Sequence, residues 1–357
     1  MFFETSFIPL VLLWCCYMIK DCCFQSFMLP IIDLQESNEI CAQKLHDAAI
    51  QHGFFYLSGH GISSEMFDKV FEQIHNMFDL NMNDKLSMQM DINKNLNGYI
   101  PYKGSDINYN TKNKVQQQFD TKEFYRIDND NSKFVNQWPS DKILPKTFKT
   151  TLNEYRNTLL QIAFRLNKII ALSLGLNENY FDKYFKKNID TINLLHYFPI
   201  LSDANNNRFG VGPHCDFGMF TLLMIENKDK ENGDGNGLQI LINRNGSLEY
   251  DYDENDNLWV DIEPKDYTFI VNIADVLAVF SNDYYKSTYH RVLTTKEIDR
   301  YSITFFFDPS YDSTIECIPE HIINTRTECK HLSVLFSEHL DNKLKNFIKS
   351  KDVKYEL

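Results

Sequence analysis

Val211–Met224 reads VGPHCDFGMFTLLM. His214 and Asp216 stand two residues apart at the start of a strand-like run. Positions i and i+2 of a strand point to the same face, so imidazole and carboxylate can converge on one point while Cys215 turns away. A third ligand has to come from elsewhere, and His290, in the Tyr-His-Arg-Val run, is the candidate. Two histidines and a carboxylate fill three positions of an octahedron and leave three open, the arrangement non-haem iron(II) oxygenases use. A lone His-x-Asp is weak, and the same ligands can hold zinc, so hydrolysis at a zinc site is an alternative. The set of three carries the signal.

Downstream, RYSITFFFDP places Arg300, Ser302 and Thr304 on one face of a strand. An arginine in an apolar run needs an anionic partner. Beside a hydroxyl it makes a good carboxylate clamp, and an internal salt bridge is the other reading. From Thr191 onward the chain is a succession of short β-branched and aromatic runs, INLLHYF, MFTLLMI, LQILI, LWVDI, YTFIVNI, VLAVF, TYHRVL and YSITFFF, which reads as a β-barrel or sandwich. The polar insert Glu226–Gly237 and the Asn245-Gly246 turn are expected to be surface loops.

The earlier half is more helical. LPIIDL and GFFYLSGHGI read as strands flanking a helix over Glu36–His52. Ser63 or Ser64 caps a helix whose stripe includes Phe67, Val70, Ile74 and Phe78. A long helix spans Phe148–Leu174 and is ended by Gly175, and a last one is expected over Glu328–Ser350. His60, in a Gly-His-Gly turn, has no second ligand at strand or helix spacing and is read as structural. GYIPYKG and FDTKEFY show no clean period and are expected as loop or short strand lining the mouth of a cavity. Tyr99, Tyr102, Phe119, Phe124 and Phe307 are candidate pocket aromatics, each with core packing as the competing role.

With 357 residues, 43% hydrophobic, 28 Phe and 19 Tyr, the chain can bury a sizeable core. A formal charge of −13 leaves no basic face for phosphates, so nucleic acid and anionic membranes are not expected partners. The apolar run Phe7–Ile19, roughly 13 residues, falls short of the ~20 that span a bilayer. Its flanks lack a positive n-region and a small-residue cleavage site. A weak membrane association through residues 7–23, by palmitoylation of the paired cysteines, is the residual possibility. Cys41, Cys215, Cys317 and Cys329 match no zinc or disulfide framework and are read as free thiols in a reducing, cytoplasmic compartment.

The order of these elements resembles the iron(II)/2-oxoglutarate-dependent dioxygenases of the isopenicillin N synthase-like family. His-x-Asp, a distal His followed by Arg-Val, and Arg-x-Ser ten residues on carry the likeness. LPIIDL, GFFYLSGHGI, Gly98, Tyr99, Asp120, Lys122, Glu123, HYFP and NIADVLAVFSNDYYKSTYHRV extend it over Leu29–Pro309. The resemblance implies a mainly β fold, a double-stranded β-helix (jelly roll) flanked by helices. It implies iron(II) at His214, Asp216 and His290, and 2-oxoglutarate with its far carboxylate on Arg300 and Ser302. Tyr197 would add a hydroxyl, although Phe198 separates it from Pro199 and could take that position instead. O2 would be consumed, with ascorbate as an auxiliary reductant. Succinate and CO2 would be released as a small organic molecule is hydroxylated, desaturated or cyclised. The expected organisation is an extension over 1–27, an N-terminal region over 28–145, the jelly-roll core with its supporting helix over 146–320, and a C-terminal helix over 321–357, in a monomer. A 2-oxoglutarate-independent oxidase of the same family and an inactive jelly-roll scaffold are the competing functions.

Overall fold

In a computed structural model, the chain is described over residues 28–91, 94–102, 104, 120–199, 209–227, 237–243, 257–294, 298–320 and 328–348. The extension over 1–27, Phe119, the Asn245-Gly246 turn and most of the insert after Glu226 lie outside these residues.

The order begins β1 (Ile31–Asp33), α1 (Asn38–Gln51), β2 (Phe54–Ser58), α2 (Ser64–Phe78), α3 (Met82–Leu86), β3 (Gly98–Ile100), β4 (Lys122–Asp128) and α4 (Thr147–Ser173). It continues with β5 (Ile189–Tyr197), β6 (Phe209–His214), β7 (Phe220–Ile225), β8 (Leu238–Asn243), β9 (Asn257–Asp261), β10 (Phe269–Ile273) and α5 (Asp275–Phe280). It closes with β11 (His290–Leu293), β12 (Arg300–Asp308), β13 (Thr314–Ile315), β14 (Val334–Leu335) and α6 (Phe336–Ile348).

Two sheets face each other, one of eight strands in the order β1-β2-β10-β7-β12-β5-β4-β3 and one of four in the order β6-β11-β8-β9. The period-2 alternation of each strand divides its side chains between two cores. On β5, Ile192 and Leu194 point outward into a layer shared with α1, α2 and α4, where Leu45, Val70, Ile74, Leu159 and Leu166 are buried. Leu195 and Tyr197 point inward and meet Val211, Leu238, Ile240 and Val292 of the smaller sheet. Leu159 and Leu166 are fully buried, so truncating either to alanine is expected to cost about 2–5 kcal/mol.

Local signals act as the sequence suggests at several ends. Ser63 caps α2, its hydroxyl accepting from the Met66 amide. Gly175 follows α4 at φ +73°, the left-handed conformation glycine takes without strain. His60 bonds the Tyr267 carbonyl at 2.9 Å and packs its ring on Phe67 and Phe269. One expected strand is a helix: Val276–Phe280 belongs to α5, which opens on Asp275. Five consecutive apolar residues carry no period of their own, and an acidic residue in the first turn favours the helix.

The reading of four free thiols is corrected by a disulfide between Cys317 and Cys329, with Cα atoms 5.9 Å apart. Cys41 and Cys215 are free. The pair is brought together by the β13–β14 pairing, a two-residue contact too short to be read from spacing. No helix among the described residues is long and apolar enough to cross a membrane.

Candidate active site

β6 ends at His214, so Asp216 lies in the turn before β7 rather than on a strand, yet the two side chains converge as expected. His214 Nε2 is 3.5 Å and His290 Nε2 3.8 Å from Asp216 Oδ1, and the two imidazole centroids are 4.1 Å apart. Cys215 turns the other way, its thiol 3.3 Å from the Ser287 carbonyl. Among the described residues this is the one cluster of three ligand-type side chains close enough to share an ion.

The polar surroundings orient these groups inward. His214 Nδ1 lies 2.8 Å from the Gly212 carbonyl and His290 Nδ1 3.2 Å from the Thr288 carbonyl. A carbonyl can only accept, so in both rings Nδ1 carries the proton and Nε2 offers its lone pair to the centre. Asp216 Oδ2 accepts from the Thr221 hydroxyl at 2.5 Å and from Asn272 Nδ2 at 2.8 Å, which leaves Oδ1 to face the imidazoles. Burial alone would raise the Asp216 carboxyl; His214, the His290 charge and the Thr221 hydroxyl outweigh it and hold the group below the usual carboxylate range. Burial, with the His214 charge, pulls His290 down to about 4, so its ring is neutral at physiological pH. Thr221 and Asn272 were not singled out by sequence. Asn272 could have been, as a lone amide in the apolar run YTFIVNI.

A cavity of about 200 Å³ opens onto all three residues and also onto Tyr197 and Arg300. Arg300, the first residue of β12, is 3% exposed, and none of its three guanidinium nitrogens has a hydrogen-bond acceptor among the described residues. The internal salt bridge considered for it is absent there. Tyr197 faces it across the β5–β12 pair, with its ring centroid 4.6 Å from the guanidinium carbon. Burial lowers the arginine pKa and Tyr197 offsets part of that. Gly210 makes room for this ring, since a Cβ there would fall 2.6 Å from Tyr197 Cδ1. Phe198 instead packs on Tyr102 and His196, so of the two aromatics Tyr197 meets the arginine. Ser302 is fully buried and its hydroxyl has no partner, as is true of the Thr304 hydroxyl.

Of the candidate pocket aromatics, Phe124 lines the cavity. Tyr99 and Phe307 belong to the outer core, Tyr99 donating its hydroxyl to Glu123, and Tyr102 is 38% exposed. The β4 segment does line the cavity as expected, through Lys122, Phe124 and Arg126.

Residues 189–309, which contain the triad, Tyr197 and Arg300, match the 2OG-Fe(II) oxygenase superfamily, and residues 29–141 match the N-terminal region described for the non-haem dioxygenase in morphine synthesis. The chain belongs to the 2OG-Fe(II) oxygenase superfamily. It is 34% identical to kihadalactone A synthase of Citrus sinensis over 82% of this chain and 84% of that one. It is 28% identical to a homoarginine-6-hydroxylase of Glycine max over 86% and 89% of the respective chains. A full-length Neurospora crassa protein, solved in complex with alpha-KG, superposes with a TM-score of 0.74 at 26% identity, covering 90% of this chain and 97% of that one. The fold is accordingly the jelly roll of these oxygenases. The protein is an iron(II)- and 2-oxoglutarate-dependent oxygenase that oxidises a small molecule, and the oxidase and scaffold alternatives give way to it.

Proposed function

We propose that His214, Asp216 and His290 hold the iron(II), and that Arg300, with Ser302 and Tyr197, holds the far carboxylate of 2-oxoglutarate. One observation supports this most strongly: a single buried cavity contains three converging metal-type ligands and a guanidinium with no counter-ion. The donor set suits a divalent iron, two neutral imidazoles and one carboxylate leaving half of an octahedron free. A buried arginine without an acceptor is costly unless an anion arrives, and a dicarboxylate supplies one. The hydroxyls of Ser302 and Thr304 follow Arg300 along the same face of β12, towards the triad.

When bound, iron and 2-oxoglutarate together supply the oxidising chemistry, with O2 consumed and succinate and CO2 released. The chain's own residues supply position and dryness. Thr221 and Asn272 fix the Asp216 carboxylate, the Gly212 and Thr288 carbonyls fix the imidazoles, and the apolar inner core excludes water around them.

The relatives' names range from a homoarginine hydroxylase to the synthase of kihadalactone A. The reading is tested by anaerobic titration of the purified protein with iron(II) and then 2-oxoglutarate. A visible metal-to-ligand absorption band should form only with both present, and His214→Ala should abolish it. A band of full strength in that variant would remove the triad from the proposal.

A further inference from the structure

Position along β12 divides the cavity into two ends. Arg300, Ser302, Thr304, Phe306 and Asp308 share its inward face, and Phe306 pairs with Thr221, whose hydroxyl holds Asp216. The triad is thus level with Phe306. Arg300 lies along the strand in one direction, and Asp308, the next inward residue after Phe306, lies in the other. A co-substrate held between the triad and Arg300 leaves the Asp308 end for the compound to be oxidised.

Asp308 is 9% exposed and lines this cavity. Its Oδ1 is buried with no hydrogen-bond partner, and no described residue donates to Oδ2. Room for the carboxyl exists because residue 218 is glycine: a Cβ there would fall 1.5 Å from Asp308 Oδ1. A buried acceptor left without a donor costs about 1–3 kcal/mol, so such a group calls for an explanation. The nearby cation does not supply one: Arg126 Nη2 lies 3.2 Å from the Asp128 carboxylate and donates to the Thr191 hydroxyl at 3.1 Å, and Arg126 makes no hydrogen bond to Asp308. Phe217, Phe306, Leu340 and Leu344 supply apolar wall to the cavity, beside the polar Arg126, Thr191 and Tyr311.

We propose that Asp308 determines specificity by accepting a hydrogen bond from a neutral N–H or O–H group of the substrate, whose apolar body lies against Phe217, Phe306, Leu340 and Leu344. The substrate class is a small, mainly apolar compound with one such donor close to the carbon that is oxidised. A neutral donor avoids the cost of stripping water from an ammonium group against the apolar side chains of Phe217, Phe306, Leu340 and Leu344. The inference rests on the placement of iron and 2-oxoglutarate proposed above.

The test uses the anaerobic iron(II)–2-oxoglutarate complex of the full chain and neutral matched pairs, such as indole with 1-methylindole and their ring-substituted analogues. Binding is followed by ligand-observed NMR and by the perturbation of the visible band. In the wild type the N–H partner should bind about tenfold or more tightly than its N-methyl counterpart. Asp308→Leu should bring that ratio close to one while the band still forms, and Asp308→Asn, which keeps an acceptor oxygen, should retain the preference. The proposal is overturned if methylated partners bind equally well to the wild type, if the ratio survives in Asp308→Leu, if Asn behaves as Leu does, or if no pair binds a complex that shows the band. Loss of the band in the wild type itself would instead overturn the iron and 2-oxoglutarate placement, and this inference with it.

Discussion

His290 lies directly opposite His214 in the antiparallel pairing of β11 with β6, and each ring is turned inward by a hydrogen bond to the carbonyl two residues before it. The two imidazoles are therefore set by backbone register, whereas Asp216, in a turn, depends on side chains for its aim.

That difference makes Asn272 a sensitive position. Replacing it with leucine removes the amide that donates to Asp216 Oδ2 at 2.8 Å, leaving the carboxylate held on that side by Thr221. Iron(II) affinity is expected to fall about 10- to 100-fold, as for other residues that orient a ligand, with little change in the fold. Anaerobic titration against a competing chelator measures it. An unchanged dissociation constant would show that the turn aims Asp216 without help.

The triad was readable because its residues have chemistry that strands do not otherwise need, and the strand periods around them were strong. Arg300 was readable for the same reason, as a charge in the apolar run RYSITFFF. What escaped was set by tertiary contact. Thr221 and Asp308 sit in ordinary strand-end sequence and gain meaning only from what lies across the sheet. The α5 helix escaped because Val276–Phe280 has no polar residue to reveal a period, and Cys317 and Cys329 because a short strand pair, not their spacing, brings them together.

Arg300 offers a contrast between binding and stability. It is 3% exposed and has no described acceptor, so Arg300→Leu removes a buried charge that only the Tyr197 ring partly offsets in the ligand-free fold. The variant is expected to be more stable than wild type in the absence of 2-oxoglutarate, by about 1–4 kcal/mol. Its KM for 2-oxoglutarate should rise by about two to three orders of magnitude, the usual loss when one member of a buried charge pair is removed. Denaturant melts with and without 2-oxoglutarate, together with steady-state kinetics, check both halves. Destabilisation of the ligand-free variant would mean that Arg300 has a structural partner.

The Cys317–Cys329 bridge closes a loop with a sequence separation of 12, between β13 and β14, ahead of the α6 helix that contributes Leu340 and Leu344 to the cavity. Loops of that size are expected to add roughly 2–4 kcal/mol when closed. Reduction should lower the melting temperature, and Cys317→Ser should match the reduced wild type and become insensitive to reductant. Mass spectrometry of the unreduced protein establishes the bond directly. A melting curve indifferent to reductant would argue that the bridge adds nothing.

Asp308 gives the pH dependence a definite sign. Burial, with the charges of Asp128, Asp216 and Asp190 and against that of Arg126, raises its carboxyl to about 7 in the folded protein. A carboxyl raised on folding contributes stability that is fully present below its unfolded pKa, near 3.9, and is lost as pH climbs through the folded value, because the unfolded chain gives up its proton first. Asp308→Asn cannot ionise and should escape this loss. Relative to wild type the variant is expected to gain stability steadily between about pH 4 and pH 7, by a few kcal/mol in all, and to hold a constant advantage above that range. Paired urea melts across the interval measure the difference at each pH. A difference that stays flat with pH would show that Asp308 is ionised throughout, and a donor to its carboxylate would then have to be present in the folded chain.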